Sequence, residues 1–167
     1  MKKYSFVFLV LVLFSCTNKQ EQFIQAEFDK VQGNWVIDNL VMPANAPDTL
    51  KNFYQSGELV FNSCKYNQKE FTKSPAVCGG EAEINQVVVF FAYKYDYNLS
   101  QFIWELGFTK YTVKTFKIQR AMQIFDGNWE VVVDGNKMTA KRKGVNKSYL
   151  DQATLYKGEV MFTATKK

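Results

Sequence analysis

The sequence predicts an all-β domain, and three observations carry that prediction. Short alternations of apolar and polar residues recur along most of the chain, Gly, Pro, Asn and Asp punctuate them, and stretches at helical spacing last only a few turns. Read this way, the chain holds about eight or nine strands with short connections and two or three minor helices. No repeat, low-complexity tract or internal linker suggests a second domain.

The first 15 residues stand apart from that domain. Lys2 and Lys3 give a positive start, Phe6 to Phe14 form an uncharged apolar stretch, and Ser15 precedes Cys16, which is the layout of an export signal. An ordinary secretory signal and a single membrane anchor are the other readings, but the run falls short of the roughly 20 residues a membrane helix needs. Residues 16–30 read as a polar tether running into a short amphipathic helix, with Phe23, Ile24, Phe28 and Val31 near helical spacing.

From Gly33 the period becomes two. Trp35, Ile37 and Asn39 alternate with Val36, Asp38 and Leu40, and Pro43, Asn45 and Pro47 stop the strand. Pro47 suits the start of a helix, and Leu50, Phe53 and Tyr54 follow at helical spacing before Gly57. Glu58 to Asn62 is a second strand. Between Lys65 and Glu83 the sequence predicts a short strand around Tyr66 to Phe71 and then a loop carrying Ser74-Pro75 and Gly79-Gly80.

Ile84 to Tyr97 is the strongest β signal. Val87, Val89, Phe91, Tyr93, Tyr95 and Tyr97 share one face, while Val88, Phe90 and Ala92 on the other give way to Lys94 and Asp96. An aromatic face that persists while its opposite becomes wet marks a strand leaving a sandwich layer or curving around a barrel. Phe102, Trp104, Leu106 and Phe108 alternate with Ile103, Glu105, Gly107 and Thr109. Lys110 to Ile118 reads as a Thr/Val-rich strand, and Ala121 to Phe125 ends at the turn Asp126-Gly127.

Trp129 to Val133 and Lys137 to Lys143 flank Asp134-Gly135-Asn136, the clearest hairpin in the chain. Ser148 and Asp151 resemble a capping box ahead of a short helical face of Tyr149, Leu150, Leu155 and Tyr156. Glu159 to Thr165 closes the chain as a strand.

Composition removes several function classes. The 21 basic residues lose Lys2 and Lys3 with the signal and then exceed the 16 acidic ones by three, too little and too dispersed to argue for nucleic acid. The chain has no histidine, which excludes Ser-His-Asp and Cys-His catalysis and His-ligated metal, and no cofactor fingerprint is present. Glu81 and Glu83 share one strand face but read as an exposed edge rather than an acid–base pair. The expectation is a non-enzyme with no metal and no cofactor.

Leu13-Phe14-Ser15-Cys16 resembles the bacterial lipoprotein lipobox, which implies that Cys16 is acylated and anchors the protein to the cell envelope, with Thr17 pointing to the outer membrane. Cys64 and Cys78 then remain as an even pair in an exported chain, and a disulfide worth roughly 3 kcal/mol is expected. Two separate buried thiols are the alternative.

Gly33-Asn34-Trp35 at the head of the first strand resembles the Gly-x-Trp of the lipocalin superfamily, and the lipobox, short tether and cysteine pair are similar to lipocalin-like lipoproteins of Bacteroidetes-type envelopes. The resemblance covers residues 31–167. It implies an antiparallel up-and-down β-barrel of about eight strands, with Trp35 plugging its closed end and a late-strand base over the indole. Arg142, on a face with Met138 and Ala140, is the base expected there.

Two functions fit such a body. In one, a monomeric envelope lipoprotein holds a small hydrophobic ligand in a cavity lined by Phe91, Tyr93, Tyr95, Trp104 and Phe108. In the other, the barrel is filled and the protein is a surface or periplasmic interaction module.

Overall fold

The computed structural model describes residues 19–66, 78–106, 116–142, 145–147 and 154–167; Cys16 and Phe108 lie outside them. Eight strands close into an antiparallel barrel. They are β1 (Gly33–Val41), β2 (Gly57–Phe61), β3 (Cys78–Ile84), β4 (Val87–Asp96), β5 (Gln101–Leu106), β6 (Gly127–Asp134), β7 (Lys137–Arg142) and β10 (Val160–Lys166). The ring order β1-β10-β7-β6-β5-β4-β3-β2 is up-and-down, with a separate pair, β8 (Val145–Lys147) and β9 (Thr154–Lys157), inserted between β7 and β10. The all-β barrel expected from the sequence is therefore present, and closure leaves its eight strands no free edge.

The strands form where side chains alternate between the interior and water. In β3, Cys78, Gly80, Ala82 and Ile84 are buried while Gly79, Glu81 and Glu83 are exposed. In β4, Val89, Phe91 and Tyr93 point into the barrel, and Val88 and Phe90 stand half exposed outside it. The interior faces of the eight strands supply most of the single hydrophobic core.

Among the described residues three helices accompany the barrel: α1 (19–31), α2 (Asp48–Lys51) and α3 (Phe116–Phe125). Helix α1 buries Ile24, Phe28 and Val31 against the barrel end where β1 begins. Helix α3 buries Ile118, Ala121, Met122, Ile124 and Phe125 at the other end, where β6 begins. Two strands separate β1 from β6 in the ring, so these two run in opposite directions and their first residues lie at opposite ends.

Four elements differ from the sequence reading. Cys78 to Glu83, expected as part of a loop, form most of β3, because Cys78, Gly80, Ala82 and Ile84 turn inward while Gly79, Glu81 and Glu83 face water. Phe116 to Ile118 and Ala121 to Phe125 are one helix, not the end of a strand and a turn approach, because Ile118, Ala121, Met122 and Phe125 recur at helical spacing and all bury. Leu155 and Tyr156 lie in β9 rather than on a helix. The long strand expected from Ile84 is broken by a two-residue turn, Asn85-Gln86, at φ 51° and 66°. Both central residues of such a turn need positive φ, and asparagine adopts it more readily than most residues; here the Asn85 side chain is held by the backbone of Phe53, Gln55 and Ser56.

Candidate functional site

The tripeptide Gly-Asn-Trp occurs twice, at residues 33–35 and 127–129, and the two copies are built alike. Each follows the last turn of a helix, α1 or α3, and each glycine has positive φ, 116° at Gly33 and 126° at Gly127. Helix ends leave carbonyls without intrahelical partners. The Trp35 indole N–H donates to the Val31 carbonyl at 2.7 Å, and that of Trp129 donates to the Phe125 carbonyl, also at 2.7 Å. In both copies a buried indole therefore satisfies the helix and fixes it across the barrel mouth.

A base lies over each ring, and here the structure corrects one expectation. Arg142 does not cover Trp35; its guanidinium carbon sits 5.6 Å from the Trp129 ring centre, at the opposite end of the barrel. The base over Trp35 is Lys166, with Nζ 5.3 Å from the ring centre. The reason is strand direction: Arg142 ends β7 at the mouth where β6 starts, whereas Lys166 ends β10 beside the start of β1. Each base also lays its alkyl stem over the preceding glycine. A Cβ on Gly33 would meet Lys166 Cε at 2.8 Å, and one on Gly127 would meet Arg142 Cδ at 3.0 Å.

Gly33, Trp35 and Lys166 thus answer to Gly127, Trp129 and Arg142. The pairing agrees residue by residue, since Ile37 faces Ala164 as Val131 faces Ala140. An approximate two-fold axis passes between β7 and β10 at the facing pair Thr139 and Thr163. Sequence reasoning found the first plug and missed the second, although the recurrence of Gly-Asn-Trp was its signal.

Between the plugs the interior is aromatic. Phe91, Tyr93 and Trp104 all reach it, together with Phe61, Phe102 and Phe162, and Tyr95 packs at the α1 mouth. Their rings meet one another. Phe61 contacts Phe91 at 5.2 Å, Tyr93 at 5.1 Å and Trp104 at 5.4 Å between centroids, and Trp104 stacks on Trp129 at 5.0 Å. Gly80 leaves space for the Phe91 ring, which lies where a Cβ would be. One polar group breaks the pattern: the Trp104 indole nitrogen is buried with no hydrogen-bond partner among the described residues.

The disulfide Cys64–Cys78 is formed, with Cα atoms 5.6 Å apart. It ties the segment after β2 to the first residue of β3. The Gln25 amide of α1 clamps the same segment, donating to the Cys64 carbonyl at 2.9 Å and accepting from the Tyr66 N–H at 2.7 Å. Tyr93 donates to the Asn62 carbonyl at 2.7 Å beside it, and burial pushes its phenol well above the usual tyrosine range.

Outside the barrel, at the α3 mouth, a polar cavity of about 370 Å³ opens between the end of α2, the β3–β4 turn and α3. Asn85 builds its wall. Its side-chain oxygen accepts from the N–H groups of Gln55 (2.8 Å) and Ser56 (3.3 Å), and its amide nitrogen donates to the Phe53 carbonyl. Arg120 spreads over the rings of Phe53 (6.0 Å) and Phe116 (4.9 Å). A smaller cavity of about 190 Å³ lies between Glu27 and Lys30 of α1 and Val131 to Val133 of β6. Neither cavity is lined by Phe91, Tyr93, Tyr95 or Trp104. Among the described residues no cluster of His, Cys, Asp and Glu could hold a metal, and no helix is long and apolar enough to cross a membrane.

Compared with known proteins, the chain matches no family model, no curated protein and no solved structure.

Proposed function

We infer that this protein is a lipocalin-like envelope lipoprotein, held to the outer membrane through acylated Cys16, whose barrel is a solid scaffold and which recognises its partner with its outside. It is an interaction module and not a catalyst. The observation that carries this reading is the mutual packing of Phe61, Phe91, Tyr93, Trp104 and Trp129, each at most 4% exposed, between two mouths that each lie under a helix and a tryptophan. Rings at close-packed separations leave a hydrophobic ligand no apolar wall to displace them from.

The reading of the barrel as a carrier of a small hydrophobic ligand draws on one observation, the Trp104 indole N–H, which has no partner among the described residues and which a ligand acceptor would satisfy. A titration separates the two. A fluorescent fatty-acid probe added to the full chain in detergent should show no saturable quenching of the interior tryptophans. Saturable one-to-one quenching that Trp104→Phe weakens would restore the carrier and overturn the solid scaffold.

A further inference from the structure

We propose that the cavity between α2, the β3–β4 turn and α3 is a binding site for an anionic sugar, that is, a hydroxyl-bearing ring carrying one carboxylate or phosphate. The proposal rests on the reading of the barrel as a scaffold that binds through its exterior, and it names the chemistry of what is bound.

Charge points to the anion. Lys117 and Arg120 project from one side of α3 into the cavity, none of its lining residues is a carboxylate, and neither base forms an ion pair with a described residue. Two cations at one wall of a small cavity favour a compact negative group. The rest of the lining points to the hydroxyl-rich body. Asn52, Gln55 and Gln86 present side-chain amides and Ser56 a hydroxyl, and each of these both donates and accepts, as vicinal sugar hydroxyls do. Phe53 adds the apolar part of the lining, and its ring lies under the Arg120 guanidinium, 6.0 Å away, which holds that cation at the cavity wall.

The geometry is held before any ligand arrives. Asn85 bonds the backbone at Phe53, Gln55 and Ser56, and the Asn85 N–H donates to the Ser56 carbonyl at 3.0 Å, so the loop bearing three of these groups is locked to the sheet. Such pre-organisation removes an ordering cost from binding. A volume of about 370 Å³ suits one sugar unit rather than an extended peptide.

The test is calorimetric titration of the full chain in detergent with glucuronate, glucose 6-phosphate, glucose and inorganic phosphate. One of the two anionic sugars should bind at one site, at least tenfold more tightly than either glucose or inorganic phosphate. Arg120→Gln and the exposed Lys117→Gln should each weaken it tenfold or more with an unchanged melting temperature. If inorganic phosphate binds as tightly as the sugars, the amides do nothing and the sugar assignment is overturned. Failure of both anionic sugars to bind, or equal binding by the two variants, overturns the site. Interior binding of a fatty-acid probe reports on Trp104 and is independent of Lys117 and Arg120, so failure of the scaffold reading and failure of this site give different results.

Discussion

Trp35 and Trp129 hold equivalent positions at opposite mouths of one barrel, each donating its indole N–H at 2.7 Å to the carbonyl that ends a helix. Each also lies beneath a base from the neighbouring strand. The protein is therefore closed twice by the same device, and the two copies should be comparably important. Trp35→Ala and Trp129→Ala should each cost about 3–5 kcal/mol in chemical denaturation, the range for a buried tryptophan. A difference of more than about 2 kcal/mol between them would show that the two plugs do not act alike.

The bases over those rings should not be equivalent. Arg142 is buried and donates through Nη1 to the Asp126 carbonyl at 2.8 Å and through Nη2 to the Gln123 carbonyl at 3.4 Å, where α3 ends. Lys166 is only partly buried over Trp35. Removing a charged donor from buried carbonyls costs more than losing a semi-exposed cation–π contact. Arg142→Met should destabilise by about 2–3 kcal/mol and Lys166→Met by under about 1 kcal/mol, measured from urea midpoints.

Reduction should loosen the α1 mouth. The Cys64–Cys78 bridge closes a loop of sequence separation 14, for which the chain-entropy estimate is about 3 kcal/mol. For a domain of this size that corresponds to a fall of roughly 6–12 °C in melting temperature under reducing conditions. Because Gln25 bonds on both sides of Lys65, amide exchange in α1 should quicken on reduction while α3 is unchanged.

Alkaline pH should destabilise the fold through buried phenols. Burial, with a smaller contribution from Asp38, pushes Tyr54 up to about 12. The unfolded phenol ionises near pH 10, so between pH 10 and 12 the unfolded chain has released a proton that the folded chain keeps. Stability is untouched by Tyr54 below pH 10 and falls as pH rises through that window. Tyr54→Phe should flatten the pH 10–12 part of the stability profile; an unchanged slope would show that Tyr54 does not titrate as described.

Anchoring is tested at Cys16. Cys16→Ser should move the protein from the carbonate-washed membrane pellet to the soluble fraction, because a thioether-linked lipid needs that sulfur. Retention in the pellet would assign the anchor to another segment.

Much of the fold was legible in the sequence because strand identity is a local property. The alternations at Trp35 and Ile37, at Val89, Phe91 and Tyr93, and at Phe102 and Trp104 each report one wet and one dry face, whatever the strand pairs with. Helix α3 was missed because Thr and Val before it favour strand, although Ile118, Ala121, Met122 and Phe125 carried the helical period. The polar cavity was invisible because its walls come from the end of α2, the β3–β4 turn and α3, and Asn85 joins the first two through hydrogen bonds spanning about thirty residues.

By itself the sequence determined the β class, the alternation of the main strands other than β3, the exposed Glu81 and Glu83, and a cysteine pair able to bridge. Only the tertiary structure decided which base covers which indole, that both mouths carry the same plug, and that the interior aromatics spend their surface on one another. The physical reason is that periodicity records which face of a strand is dry, whereas partners across a barrel depend on strand direction and on closure. Lys166 is far from Trp35 along the chain, and it meets that ring because β10 pairs with β1 to shut the barrel.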